Sequence, residues 1–119
     1  MRAGFLFIFA MPKNRALDEK NTYTELATEI AHYSRALGHP ARIALLVEIA
    51  KKGGVVKGES IEIPPMSQAT VLQHLRELKR AGLIQGRIFG ARSEYKIDFQ
   101  KLQLYSGQFH AFIGHFSQP

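Results

Sequence analysis

Residues 67–81, Ser67-Gln68-Ala69-Thr70-Val71-Leu72-Gln73-His74-Leu75-Arg76-Glu77-Leu78-Lys79-Arg80-Ala81, gather hydrogen-bonding side chains on what reads as one helix. Val71, Leu75 and Leu78 recur at helical spacing and face a core, which leaves Gln68, Thr70, Gln73, His74, Arg76, Lys79 and Arg80 on the remaining surface. Amide, hydroxyl, imidazole and guanidinium groups so displayed suit hydrogen bonding to a polar partner. A basic hairpin follows at once. Leu83–Ile88 and Ser93–Ile97 are alternating, strand-compatible runs joined by Phe89-Gly90-Ala91-Arg92, with Arg87 along the hairpin and Arg92 at its tip.

Charge sharpens the chemistry. Between residues 67 and 96 six basic residues stand against two acids, so +4 of the chain's net +6 lies in about a quarter of its 119 residues. A concentrated positive field favours polyanions, because neutralising phosphates releases condensed counterions. An anionic membrane surface would be attracted as well, so charge alone does not select nucleic acid. With no cysteine, disulfides, zinc–thiolate sites and a cysteine nucleophile are excluded. There is no Gly-rich phosphate loop after a strand, no nucleophile elbow and no carboxylate pair placed in an evident cleft, so the reading is non-enzymatic. His110 and His115 are five residues apart, about 140° around a helix, whereas ligands on one helix face want a spacing of three or four. No metal and no cofactor are expected.

The elements that must position these groups are legible from spacing and punctuation. Ser67 is placed to cap the helix, and Gly82 to end it as C′ residue with Leu83 returning to Leu78. Upstream, Tyr23, Leu26, Ala27, Ile30, Tyr33 and Leu37 make an amphipathic helix over residues 22–37, broken at Gly38-His39-Pro40. The next helix runs from Pro40 to about Lys52, with Ile43, Leu46, Val47 and Ala50 as its buried stripe, Leu45 and Ile49 widening it, and Gly53-Gly54 stopping it. In residues 55–65, Ser60–Ile63 suits one short helical turn before Pro64-Pro65. A short helix, a tight break and a long capped helix form a helix-turn-helix in outline. The last segment, 99–116, spaces Leu102, Tyr105, Phe109, Phe112, Ile113 and Phe116 as a helix too apolar for a small monomer to hide easily. Size indicates one domain, residues 22–116, behind a tail of residues 1–21. The apolar run Ala3–Met11 is far short of the ~20 residues that span a bilayer, and Met11 is taken as the biological start.

Two motifs carry a family resemblance. Arg35-Ala36-Leu37-Gly38-His39-Pro40-Ala41-Arg42-Ile43-Ala44-Leu45-Leu46 resembles the "aLghptRl.IL" opening of ArsR-type winged-helix repressors, and Ser67–Ile84 resembles their recognition helix, with Gly86–Tyr95 as the wing. The likeness covers roughly residues 22–113 in the family's element order. It implies a mainly α, winged helix-turn-helix fold (α+β) with recognition helix 67–81, wing 83–97 and a terminal dimer helix 99–116. It implies a cytoplasmic homodimer that places two recognition helices in successive major grooves of a pseudo-palindromic operator and represses transcription. Ser67, Gln68, Thr70, Gln73, His74, Arg76, Arg87 and Arg92 are then the residues that meet double-stranded DNA. Leu26, Ile30, Tyr33, Tyr105, Phe109, Phe112, Ile113 and Phe116 join the two chains.

Four positions depart from the family. Val55 and Lys57 stand where arsenic-sensing members carry a Cys-x-Cys pair, so that metalloid site is absent. Zinc-sensing members have His where Gln100 follows Asp98. Leu72 stands where Ser is usual; it would either meet a thymine methyl or tuck against the domain. Other roles stay open at this level. Arg42 suits either DNA backbone or a solvated face, His74 a phosphate or its own backbone surroundings, and His39 a turn. The aromatic stripe of 99–116 suits a dimer seam, or else a pocket for an unknown small-molecule effector. A winged-helix interaction module without specific DNA binding is the competing reading, and no membrane partner is expected.

Overall fold

The computed structural model describes residues 23–89 and 92–117. The tail, the Met11 start and the Gly90-Ala91 tip of the hairpin lie outside the described residues. In chain order the elements are α1 (Glu25–Ala36), α2 (Pro40–Lys51), β1 (Val55–Lys57), a single 3₁₀ turn (Gly58–Ser60), α3 (Gln68–Arg80), β2 (Ile84–Phe89), β3 (Arg92–Ile97) and α4 (Phe99–Gly114). The sheet is antiparallel in the order β1-β3-β2.

Helix boundaries follow the punctuation. Thr24 caps α1 by accepting from the Ala27 N–H at 3.1 Å, and Asp98 caps α4 by accepting from the Lys101 N–H at 3.0 Å. His39 is more than a turn residue: it is the N-cap of α2, its Nδ1 accepting from the Ala41 N–H at 3.0 Å, with Pro40 opening the helix.

The core is assembled from the first three helices and the sheet, with Leu102 and Tyr105 of α4 packed against it. Leu45, Ile49, Ile61, Leu75, Leu78 and Leu83 are fully inaccessible, with Val71 and Ile84 beside them. The orientation of α2 differs from the expected stripe. Leu45, Leu46 and Ile49 point inward, while Ile43 and Val47 are about half exposed at 51% and 49%, and Ala50 is exposed. The sequence of α2 is apolar on two faces, so periodicity alone does not choose between them. Packing against α3 and the sheet does.

The segment after α2 also differs. The helical turn lies at Gly58–Ser60 rather than Ser60–Ile63, and it follows a strand. Val55, Val56 and Lys57 pair with Lys96, Tyr95 and Glu94 of β3, so the hairpin becomes a three-stranded wing. Gly86 lies opposite Tyr95, and a side chain on either Gly58 or Gly86 would run into the Tyr95 ring, which therefore needs glycine on both sides. The stretch from Ile61 to Ser67 forms no helix, and Ile61 anchors it in the core. The helix-turn-helix is thus reduced, with one 3₁₀ turn where a short helix is expected.

α4 closes the structure against α1. Tyr33 and Tyr105 meet edge to face at 5.9 Å, the Ser34 and Tyr105 hydroxyls are 3.1 Å apart, and the Gln108 amide donates to the Glu29 carboxylate at 2.9 Å. Among the described residues no helix is long and apolar enough to cross a membrane.

Candidate nucleic-acid interface

α3 is held at both ends by its own sequence. Ser67 Oγ accepts from the Thr70 N–H at 3.2 Å. At the other end Gly82 takes φ +85°, the Leu83 N–H donates to the Leu78 carbonyl at 3.1 Å, and the Gly82 N–H to Lys79 at 2.9 Å. This is the Schellman closure expected of a glycine at C′. Val71, Leu75 and Leu78 are buried, and Ser67, Gln68, Thr70, Gln73 and Arg76 are exposed on the rest of the helix.

Several of these side chains are pre-set. Gln73 Oε1 accepts from Arg76 at 3.3 Å, and Thr70 bonds Ser67 hydroxyl to hydroxyl at 3.0 Å. The Gln68 amide donates to the Gly58 carbonyl at 2.8 Å, tying the first turn of α3 to the 3₁₀ turn. Gln68 thus has a structural partner that the sequence did not reveal. Arg80 pairs with Glu77 at 3.0 Å, which matches a solvated helix end better than a dedicated phosphate contact. Arg87 and Arg92 are exposed on the wing, Arg87 opposite Glu94 and Arg92 at the start of β3.

Leu72 is half-buried and packs against the core, so it tucks in rather than projecting from α3. Arg42 is engaged within the chain rather than lying on a freely solvated face. Its Nη1 donates to the Ala36 and Arg35 carbonyls at 3.1 and 3.4 Å, covering the last turn of α1, and its Nε donates to His74 Nδ1 at 3.3 Å. His74 is half-buried, its ring 4.5 Å from that of His39. Burial, and after it the nearby His39 and Arg42, hold the His74 imidazole below its ordinary range, against an opposing pull from Glu77. One signal for this group lay in the sequence: a histidine directly before a helix-opening proline can cap, and an arginine two residues later can reach back over the preceding helix.

The proposed dimer residues divide into two sets. On α1, Ile30 and Tyr33 are already buried within one chain and Leu26 is half-buried. On α4, Phe109, Ile113 and Phe116 are exposed at 37%, 47% and 64%, with Tyr105 and Phe112 half-buried. An open apolar depression runs along this side, lined by Leu37, Leu102, Tyr105, Phe109 and Ile113. Among the described residues no three His, Asp or Glu side chains gather as a metal site would require.

Solved structures superpose on this arrangement of four helices and a three-stranded sheet. An ArsR-like transcriptional regulator from Rhodococcus sp. RHA1 superposes with a TM-score of 0.63 at 20% identity, over 76% of this chain and 84% of that one. A second ArsR family transcriptional regulator gives 0.55 at 18% identity, over 78% of this chain and 95% of that one. The fold is a winged helix-turn-helix of ArsR-like type. No family model matches the sequence, and no curated protein matches it. At these identities the likeness concerns the fold alone, in which α3 and the β2–β3 hairpin are the second helix and the wing of the winged helix-turn-helix. Leu72 sits on the flank of α3 and packs against the core.

Proposed function

We propose that the protein is a DNA-binding transcriptional regulator, a homodimeric repressor that occupies a pseudo-palindromic operator. The observation that carries this reading is the division of α3. Its inner stripe is wholly buried, and its outer surface offers Gln73, Arg76, Thr70 and Ser67 with no covering element, beside a wing bearing Arg87 and Arg92. A helix of 13 residues fits a major groove, where amides bond adenine edges and guanidinium groups bond guanine or phosphate. The Gln73–Arg76 contact holds both side chains close together on the outer surface. Arg87 and Arg92 supply phosphate or narrow-groove contacts from the wing.

Dimerisation follows from α4. Its exposed aromatic row is continuous with the α1 contact and would be covered by a second copy, giving a two-fold reader with two recognition helices. Repression would come from overlap with polymerase at the promoter, which places the protein in the cytoplasm with the chromosome. A change in the angle between the two recognition helices, set by an effector in the α4 depression, would release the operator. The feature that would favour an interaction module without specific DNA binding is Leu72 on the flank of α3, and that leucine packs on the core.

The test is selection of bound sequences from a random duplex pool, followed by titration at several salt concentrations. A half-site repeated with two-fold symmetry, and affinity that falls steeply with salt, is the expected result. Arg92→Ala should weaken binding to all duplexes, whereas Gln73→Ala should change preference among them. Equal, weak binding to every duplex would overturn the reading.

A further inference from the structure

Where the α1–α2 turn meets the flank of α3, three basic side chains stand together: His39, Arg42 and His74. Arg42 is fixed by three contacts, two to the carbonyls ending α1 and one from Nε to His74 Nδ1. His39 is fixed by its capping contact, Nδ1 accepting from the Ala41 N–H. These contacts settle the tautomers. A ring nitrogen that accepts a hydrogen bond carries no proton, so each neutral imidazole keeps its proton on Nε2. Neither Nε2–H group, nor Nη2 of Arg42, meets an acceptor among the described residues. The two rings are 4.5 Å apart, and the carboxylate acting on His74, that of Glu77, is engaged by Arg80 at 3.0 and 3.4 Å. The group has a fixed cation and surplus directed donors, and no acceptor of its own.

We infer that His39, Arg42 and His74 form a clamp for one phosphate-type oxyanion on the flank of the recognition helix. Two sources share this chemistry, a backbone phosphate of duplex DNA, which rests on the regulator reading above, and a free phosphate. Arg42 supplies the charge and the imidazoles supply neutral donors at set positions. Protonating either ring at Nδ1 would abolish the contact that orients it, so the clamp geometry is that of the two rings with Nδ1 unprotonated. Its donors are organised by folding, which lowers the ordering cost of binding.

The experiment titrates inorganic phosphate into the full-length protein at constant ionic strength while the imidazole nitrogens of His39 and His74 are followed by ¹⁵N NMR. Saturable shifts of both Nε2 resonances are expected with phosphate, and none with chloride. Asparagine keeps an acceptor near the Nδ1 position but has no donor at Nε2, so the His39→Asn/His74→Asn pair removes the clamp while keeping its scaffold. In the single variants, which keep the His39 ring, His74→Gln returns an N–H near Nε2 and should preserve the phosphate-dependent shift of His39 that His74→Asn weakens. In a second arm the double variant is expected to bind a selected duplex at least about tenfold more weakly, since both removed donors bond a charged oxygen, with His74→Gln recovering most of the loss relative to His74→Asn. Weakened duplex binding assigns the anion to the DNA backbone. Phosphate-dependent shifts with unchanged duplex affinity assign it to a free oxyanion. Unmoved imidazole resonances together with unchanged duplex affinity overturn the clamp. A wild-type protein that binds no duplex overturns the regulator reading instead, and the phosphate arm alone then decides the clamp.

Discussion

α3 and α4 are both long, capped helices, and they relate to the rest of the protein in opposite ways. α3 buries Val71, Leu75 and Leu78 almost completely and turns polar side chains outward. α4 buries only Gln108 fully, while Phe99, Leu104, Phe109, Ile113 and Phe116 remain exposed along a more apolar helix. The first helix is complete within one chain and has a polar surface to spare. The second carries more apolar surface than its own chain can cover, which is the mark of an element that meets another copy or a ligand.

Substitutions can sharpen this contrast or break it. The largest effect is expected at Leu75, which is wholly inaccessible: Leu75→Ala should cost about 2–5 kcal/mol through the cavity it leaves, read by denaturant titration. On α4 the combined Phe109→Glu and Ile113→Glu change should convert a dimer to a monomer in sedimentation while leaving secondary structure intact. A wild type that sediments as a monomer at all accessible concentrations would break the comparison at its α4 side. Ser67→Ala, which removes the acceptor for the Thr70 N–H, should cost about 1 kcal/mol and leave the association state unchanged.

The smallest effect concerns pH. The folded His74 imidazole titrates below its ordinary value of 6.5, first because it is buried and then because His39 and Arg42 lie beside it. The unfolded chain therefore binds its proton at a higher pH than the folded one. The stability linked to this group is present above about pH 6.5 and declines as pH falls from there through the folded pKa. Thermal unfolding should show a lower midpoint at about pH 5.5 than at about pH 7.5, with a smaller difference in His74→Gln. An equal difference in both proteins would mean that His74 contributes nothing to it.

The buried Gln108 sharpens the contrast further. Its amide nitrogen is bonded to Glu29 while its Oε1 has no partner, so the one buried residue of α4 is polar and incompletely satisfied. Sequence patterning drew attention to the aromatic stripe of this helix and did not single out the amide that is its most buried side chain within the chain.

What the sequence by itself determined is local. The limits of α3, its Ser67 cap, its Gly82 stop and its inner stripe all depend on residues within a few positions of one another, and so does the β2–β3 hairpin. Such features are written in nearby residues because the hydrogen bonds that make them close over three to five positions in the helix and within thirteen in the hairpin. Tertiary structure alone decided which face of α2 is buried, since that helix is apolar on both and the choice lies with α3 and the sheet. It decided that Val55–Lys57 pair with β3, because three residues acquire strand character only from a partner some forty positions away. It placed Leu72 against the core, spent Ile30 and Tyr33 inside a single chain, and brought Arg42 to His74 across 32 residues of sequence. Burial and charge pairing are properties of the opposing surface, and that surface exists only once the chain has folded.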